Sequence, residues 1–156
     1  MLTLKNSMAS KQTEPKQGDS KADPAKPQPP PISVWGPPVA LGWLVPGGGH
    51  FLLGRRGRGL LLAFSITGMF VSGLLMRGAM FTPQKADLLT TLINYGGFVG
   101  DIASGILYLM STWLGYMQPD VAGPVHDYGT KFLVTAGLLN VLAMVDAYEI
   151  SAGRKS

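Results

Sequence analysis

The chain has 156 residues, no cysteine and a formal net charge of +4, from 13 Lys and Arg against 9 Asp and Glu. Charged residues make up 14% of it, against about 25% in ordinary soluble domains, so a surface that faces water on all sides is not expected. The absence of cysteine excludes a disulfide framework, a thiol nucleophile and a zinc–thiolate site.

The positive charge does not indicate a nucleic-acid-binding protein. The five lysines of residues 1–33 stand singly among acidic and polar residues, and no aromatic side chain lies between them to stack on bases. Each basic residue near a bilayer surface is attracted to anionic headgroups by about 1 kcal/mol. We therefore expect the lipid bilayer, and not nucleic acid, as the partner of this charge.

Residues 1–33 form a polar segment with a proline run at 29–31. Such a segment buries too little apolar surface to offset its ordering entropy, so the composition predicts a disordered Pro/Lys-rich tail. Because no apolar run follows a basic start, a cleaved signal peptide is not expected.

After residue 33 the apolar residues come in blocks that are nearly free of charge. About 20 apolar residues in a helix span the roughly 30 Å of a bilayer core. The blocks predict an all-α integral membrane domain over residues 34–150, followed by a basic tail at 151–156. Its four hydrophobic helices are expected at 35–53, 59–76, 88–117 and 131–148.

The first of these helices is expected to break at Pro46, because Gly47, Gly48 and Gly49 follow that proline. The apolar run before the break extends roughly 20 Å as a helix, which is short for a full crossing. Residues 35–53 are therefore either a span completed by a second half or a hairpin that dips in and returns. Irregular backbone at membrane depth needs polar partners, so the glycines are expected to pack against another helix.

The stretch VPGGGHFLLGRRGRG, residues 45–59, has the glycine spacing of a phosphate-binding loop at Gly49 and Gly54. That loop requires Lys and then Ser or Thr after the last glycine, because these residues bind the phosphates and the magnesium ion. Arg55 and Arg56 stand there instead, which argues against nucleotide binding, and no cofactor is expected. We predict a glycine turn and a basic connection in which Arg55, Arg56 and Arg58 contact lipid headgroups.

The second predicted helix carries small residues at spacings of three and four, at Ser65, Gly68 and Ser72. These positions share one helix face, and the pattern predicts that another helix approaches closely there.

The block 88–117 would be about 45 Å long as one helix, which is too long for one straight crossing. We expect its first part to lie in the interface and the crossing to run from about residue 96 to 117. Two adjacent rows of mostly small residues repeat at intervals of four in this block. They are Gly96, Gly100 and Ser104 in one row, and Gly97, Asp101 and Gly105 in the other. The rows predict close helix packing.

Asp101 is the one carboxylate in these rows. A carboxylate near the centre of a membrane helix costs about 2.5 to 3.5 kcal/mol, so Asp101 is expected to be paired, protonated or close to the interface. Possible partners are Arg77, His50 and Asn140. Two interpretations stay open: a local structural pair or helix cap, and a titrating site for proton or ion movement.

The last part of the chain contains His126 beside Asp127, in a chain that has two histidines in all. With two histidines and no cysteine, a protein-supplied metal site would need carboxylates gathered from distant parts of the chain, so no metal site is expected. The final predicted helix carries Asn140 in its interior, and Asp146 is expected near its exit into the interface.

The segment ALGWLVPGGGHFLLGRRGRGLLLAF resembles the two-transmembrane-helix domain of many small bacterial membrane proteins. The pattern is carried by Pro46, Gly47, Gly49, His50, Gly54, Arg55 and Gly59, with Leu52 in place of the usual aromatic residue. The later GLLNVLAMVDAYEIS is similar to the closing helix of an uncharacterised bacterial family, through Asp146, Ala147 and Tyr148. The resemblance implies a membrane architecture and transfers no catalytic residue.

No nucleophile is paired with a base in the sequence, so an enzyme is not expected. We predict a multi-pass protein of the bacterial inner membrane that acts as a non-enzymatic scaffold or accessory subunit. Its partner would be a second copy or a larger membrane complex, contacted through the glycine-rich faces. The alternative is a small transporter or ion-conducting protein that uses Asp101.

The distribution of Lys and Arg favours cytoplasmic termini if four helices cross. If the first unit only dips into the membrane, the C-terminus would lie outside.

Overall fold

A computed structural model describes residues 30–119 and 122–155. Most of the predicted disordered tail, residues 1–29, lies outside these ranges. The described residues form helices and no strand. The helices are α1 Ile32–Leu44, α2 Gly48–Leu52, α3 Arg56–Leu75, α4 Leu88–Ala103, α5 Ile106–Trp113 and α6 Pro124–Ser151. The first helix begins two residues earlier than the predicted domain start, directly after the proline run.

Two helices, α3 and α6, are long and apolar enough to cross a membrane. The pair α4 and α5 meets the same test only when taken together, and the two helices are bent by 100° at the break between them. With 13 residues, α1 is a shorter apolar helix. The described part of the chain therefore has two helices that can cross, or three if the bent pair is one span, where four hydrophobic helices were predicted and the crossing of residues 35–53 was left open.

The core lies between α3 and α6, which run antiparallel. Ile66 and Phe70 of α3 are buried against Leu133, Ala136 and Ala143 of α6. The two helices come close at Gly73, where a Cβ atom would lie 2.8 Å from Leu133 Cγ. This packing is what makes the two long helices one unit.

The predicted packing face of α3 is not the one that α6 covers. A Cβ atom on Gly68 would meet no atom within 4 Å, and on the face that carries Ser65, Gly68 and Ser72 the glycine is exposed and the two serines are half-buried. The larger apolar side chains Ile66 and Phe70 lie on the covered face instead. These larger side chains fill the space between α3 and α6 and make more van der Waals contacts than the small residues could, which explains why this face is covered.

The bundle has two ends, which the contacts of α6 define. The proximal end surrounds Tyr148, near the end of α6, and the distal end surrounds Gly129, near its beginning. The α1–α2 pair belongs to the proximal end: Trp35 packs edge-on against Tyr148, with ring centroids 5.4 Å apart. After the break, α2 returns to the same end, where His50 Nε2 is 2.9 Å from Asp146 Oδ2.

The α4–α5 pair enters from the distal end. Gly100 of α4 lies against Val134 of α6, and Ala103 reaches the level of Asn140, where α4 ends. The chain then turns back. Tyr116, which follows α5, lies at the distal end again, because its hydroxyl donates to the carbonyl of Gly78, 2.9 Å away.

The predicted single helix over 88–117 is therefore wrong, because the chain bends at Ser104 and Gly105. Gly105 has φ of 64°, a conformation that glycine adopts without strain. A Cβ atom at this position would overlap the carbonyl oxygen of Trp43, so the break is also a point of close approach to α1.

The fold consists of two similar units in opposite orientation. Each unit has an apolar helix, a break, a short helix that turns back, and a long helix: α1, α2 and α3 in the first unit, and α4, α5 and α6 in the second. Because α3 and α6 are antiparallel, the two broken pairs enter from opposite ends and meet in the middle of α6.

Candidate functional site at the helix breaks

Both helix breaks lie beside Asn140 of α6. Ending a helix inside an apolar bundle leaves the carbonyl groups of its last turn without partners along the helix. In a medium without water these groups must be satisfied by other protein atoms. The region around Asn140 supplies such atoms for both α1 and α4.

Three consecutive carbonyl oxygens at the end of α4 each accept a hydrogen bond from a side chain. The Oγ of Ser104 donates to the carbonyl of Asp101 at 2.6 Å. The indole of Trp43 donates to Ile102 at 3.2 Å. The amide of Asn140 donates to Ala103 at 2.9 Å and also approaches the carbonyl of Trp43 at 3.4 Å. The side chains thus complete the helix ends and join the two units.

Asp101 is fully buried one turn before the break, with 0% of its surface exposed. Its Oδ2 accepts a hydrogen bond from the backbone N–H of Phe81, at 2.6 Å. Its Oδ1 is buried and has no hydrogen-bond partner among the described residues. Oδ2 of Asp101 therefore anchors the connection between α3 and α4, whereas Oδ1 makes no hydrogen bond to the described residues.

The partners predicted for Asp101 lie elsewhere. His50 is bonded to Asp146, and Asn140 donates to backbone carbonyls. Arg77 is exposed at the distal end. The sequence missed the true partner because it is the backbone amide of Phe81, and a backbone group carries no sequence signal.

A cleft of about 470 Å³ opens at the distal end, between the α3–α4 connection, α4 and the first turns of α6. Its walls are mostly polar: Ala79, Met80, Phe81, Thr82, Gln84, Asn94, Asp127, Thr130 and Lys131. Phe81 belongs both to this wall and to the hydrogen bond with Asp101. The cleft therefore ends one residue away from the buried carboxylate.

A second polar cluster lies at the proximal end. Its centre is Asp146, whose two oxygens contact His50 Nε2 at 2.9 Å and Lys155 Nζ at 2.6 Å. Lys155 also lies 3.5 Å from Glu149. The hydrogen bond and the charge of Asp146 raise the pKa of Lys155. In contrast to Asp101, the acid of this cluster has a partner on each oxygen.

The residues of the first break are tightly packed. Pro46, Gly47 and Gly49 are all buried. A Cβ atom on Gly47 would overlap the carbonyl of Gly59, and one on Gly49 would overlap that of Pro38. The glycines let three backbone segments touch, and this leaves no room for a ligand.

The glycines of α4 and of the break after it face different neighbours. Gly97 faces the ring of Phe81, and Gly100 faces Val134. A Cβ atom on Gly96 would meet nothing within 4 Å. Gly105 belongs to the break and not to a helix. The two predicted rows therefore do not form one continuous surface.

The basic connection lies at the proximal end, before and within the first turn of α3. Arg56 and Arg58 are exposed, and Arg55 is half-buried.

Among the described residues, no group of three or more His, Asp or Glu side chains could hold a metal ion.

The comparison with protein families supplies a match that begins within α1 and covers both breaks. Residues 38–156 match the family of unknown function DUF6677. The chain belongs to this family. No curated protein and no solved structure matches the chain. The resemblance to the two-transmembrane-helix domain is not confirmed by these comparisons, and the DUF6677 description assigns no activity.

Proposed function

We propose that this DUF6677 protein is an integral protein of the bacterial inner membrane, crossed by α3 and α6, with each broken helix pair dipping in from one face. The outward side chains of the long helices support this proposal. Phe64 and Leu75 of α3 are 81% and 80% exposed, and Leu142 of α6 is 65% exposed. Apolar surface of this extent on helices of sufficient length suits contact with lipid chains.

Two crossings would bring both ends of the described chain to one face of the membrane. Five basic residues lie at the proximal end: Arg55, Arg56, Arg58, Arg154 and Lys155. Three lie at the distal end: Arg77, Lys85 and Lys131. Five more lysines precede α1 in the sequence. Basic residues are enriched on the cytoplasmic side, so we place the proximal end there.

Reporter fusions test this topology. A cytoplasm-active reporter after residue 156 is expected to be active, and the same reporter inserted after Gln84, in the exposed α3–α4 connection, is expected to be inactive. The reverse pattern would invert the orientation. Opposite sides for residue 156 and residues 32–35 would mean that one broken pair crosses.

Within this membrane protein we propose that Asp101 binds a proton or a small cation in the course of its movement. The observation that carries this proposal is the fully buried Oδ1 of Asp101, without a hydrogen-bond partner among the described residues. An acid in this position is costly, and ionisable groups inside membrane proteins mark ion and proton paths. Discontinuous helices that meet inside the bundle commonly form such sites.

Flux through proteoliposomes tests the role of Asp101. We expect a proton or monovalent-cation flux in the wild type that Asp101→Asn abolishes. Asp87→Asn is the matched control, because Asp87 caps the exposed start of α4 through Thr90 and lies outside the core. Absence of wild-type flux, or equal flux in Asp101→Asn, would refute a conducting role.

A second candidate is the scaffold or accessory subunit, which is also non-enzymatic. Gly97 and Gly100 are used inside the protein, so they do not support it. The open glycines Gly68 and Gly96 favour it, because a partner helix could approach closely there. Gly68→Leu is then expected to abolish self-association in cross-linking experiments, while Gly57→Leu, at another open glycine, preserves it. Unchanged cross-linking in Gly68→Leu would exclude this interface.

A further inference from the structure

We infer that Asp101 exchanges its proton or cation with the aqueous phase at the distal end, through the cleft, and that Phe81 is the plug between the two. This inference names the path of the ion in the function proposed above and rests on that proposal for its biological meaning. It assigns the role of entrance to the cleft and an access direction to the carboxylate.

The path on the distal side is short. The cleft is open to solvent, and Phe81 forms part of its wall. The amide of the same residue donates to Asp101 Oδ2. The ring of Phe81 fills the space beside Gly97, where a side chain would collide with it. One residue therefore closes the inner end of the cleft with its ring and contacts the acid with its backbone.

The path on the proximal side is closed by the junction of the two units. Asn140 donates there to the carbonyls of Ala103 and Trp43, the indole of Trp43 donates to Ile102, and Asn140 is fully buried. Beyond the junction lie the packed glycines of the first break, with Gly49 against Pro38 and Ala147. An ion would have to separate two helices from α6 to pass this way, so access is asymmetric.

The α3–α4 connection is held near its ends by the Tyr116–Gly78 and Ala86–Thr91 hydrogen bonds, and around Phe81 it has few anchors. Ala79 N–H donates to Thr130 Oγ1 at 2.9 Å, and Phe81 N–H donates to Asp101. Residues 82–87 are exposed. A hydrogen bond to a carboxylate is roughly twice as strong as one to a neutral group. Neutralising Asp101 with a proton or a cation would therefore weaken the anchor at Phe81 and loosen the plug.

The charged side chains around the cleft are compatible with moderate attraction of a cation. Asp127 and Lys131 face it from α6, and the connection and α4 contribute the neutral Gln84 and Asn94. The ammonium of Lys131 lies 5.2 Å from the ring centroid of Tyr128, an interaction that draws its charge toward that ring. The formal charges of Asp127 and Lys131 offset each other in the cleft wall, and the carboxylate of Asp127 is the group there that can attract a positive ion.

A one-sided pH jump tests the access direction without any flux. In oriented proteoliposomes, the infrared band of the Asp101 carboxyl group, identified by its absence in Asp101→Asn, is followed after acidification of one side. We expect the band to respond to a distal jump and not to a proximal one. A response to the proximal jump alone, or to neither, would overturn the inference.

Labelling of single cysteines tests the cleft as the path, and the natural absence of cysteine makes each label specific. A bulky maleimide on Asn94→Cys, in the cleft wall, is expected to abolish the response to the distal jump. Val125→Cys is the matched control, because Val125 is 63% exposed at the same end and outside the cleft wall. An unchanged response in labelled Asn94→Cys would exclude the cleft.

Two substitutions test the plug. Phe81→Ala keeps the backbone hydrogen bond and removes the ring, so the band is expected to respond faster than in the wild type. Phe98→Ala removes a ring of equal size that packs against Tyr108, and it is expected to leave the rate unchanged. Equal rates in the two variants would show that Phe81 is not the barrier.

These outcomes separate the two proposals. Flux that depends on Asp101 together with an unaffected labelled Asn94→Cys would keep the function and reject the entrance. A distal band response in a protein without flux would keep the site and its entrance and reject conduction.

Discussion

At the first helix break the chain turns through Pro46 and three glycines, and the nearby acid, Asp146, has a partner on each oxygen. At the second break the chain turns at Ser104 and Gly105, and the nearby acid, Asp101, keeps one buried oxygen without a partner among the described residues. Backbone contacts fill both breaks, but only the acid near the second break lies one residue away from an open cleft. A break inside the bundle therefore does not require an unpaired acid, and Asp101 needs an explanation of its own.

The comparison implies that the first break is structural, and the largest expected effect is at Gly47. Its φ of 75° and the overlap of a Cβ atom with Gly59 both oppose a side chain. Gly47→Ala should lose about 1–2 kcal/mol to the left-handed conformation and a further 1–3 kcal/mol, roughly, to overpacking. Unfolding in mixed SDS micelles measures the loss.

Gly54→Ala is the control for this prediction. Gly54 has φ of 74°, but a Cβ atom there would meet nothing within 4 Å. Only the conformational part, about 1–2 kcal/mol, is expected. Equal losses in Gly47→Ala and Gly54→Ala would mean that the first break is not tightly packed.

The second break can be tested in the same way, with Gly105→Ala against Gly115→Ala. Both glycines have positive φ, but only at Gly105 would a Cβ atom collide, with the carbonyl of Trp43. We expect Gly105→Ala to be the less stable variant by about 1–3 kcal/mol in the same unfolding assay. The stability difference between Gly105→Ala and Gly115→Ala can be compared with that between Gly47→Ala and Gly54→Ala. A smaller difference for the first pair would show that the second break accommodates a side chain more easily, as expected of a site that opens.

Asn140 connects the breaks, so its loss should affect both. Asn140→Leu removes the donor to Ala103 and leaves that buried carbonyl unsatisfied. The expected cost is about 1–3 kcal/mol, from the desolvated carbonyl group. Hydrogen exchange of the amides next to each break checks the effect. Increased exchange at only one break would argue against a shared junction.

The smallest effect concerns the proximal cluster and its pH dependence. Asp146 raises the pKa of Lys155, so the folded protein holds that proton more tightly than the unfolded chain. The contact is therefore fully present below the ordinary lysine pKa of about 10.4 and is lost as the pH rises through the raised value. Trypsin cleavage after Arg154 should be slow at neutral pH and faster in Lys155→Met. Equal cleavage rates would show that Lys155 does not tether the end of the chain.

The apolar blocks and the break at Pro46 were predictable, because lack of charge and the Pro-Gly signal are local properties of the sequence. The bend at Ser104 was not predicted, because a Ser-Gly pair is compatible with a helix and only the close approach of Trp43 requires the turn there. The packing face of α3 was predicted on the wrong side, because small residues permit a close contact but do not demand one. The partner of Asp101 is a backbone amide, which no residue pattern reveals.

The sequence by itself determined that helices of low charge follow residue 33, where the first one breaks, and which ionisable residues lie inside the apolar blocks. Only the tertiary structure decided that both broken helices turn back, that they enter from opposite ends, and that His50 meets Asp146 across 96 positions while Asp101 meets Phe81. The physical reason is that composition sets the medium a segment prefers, while the direction of a segment depends on backbone contacts with residues far away in the chain.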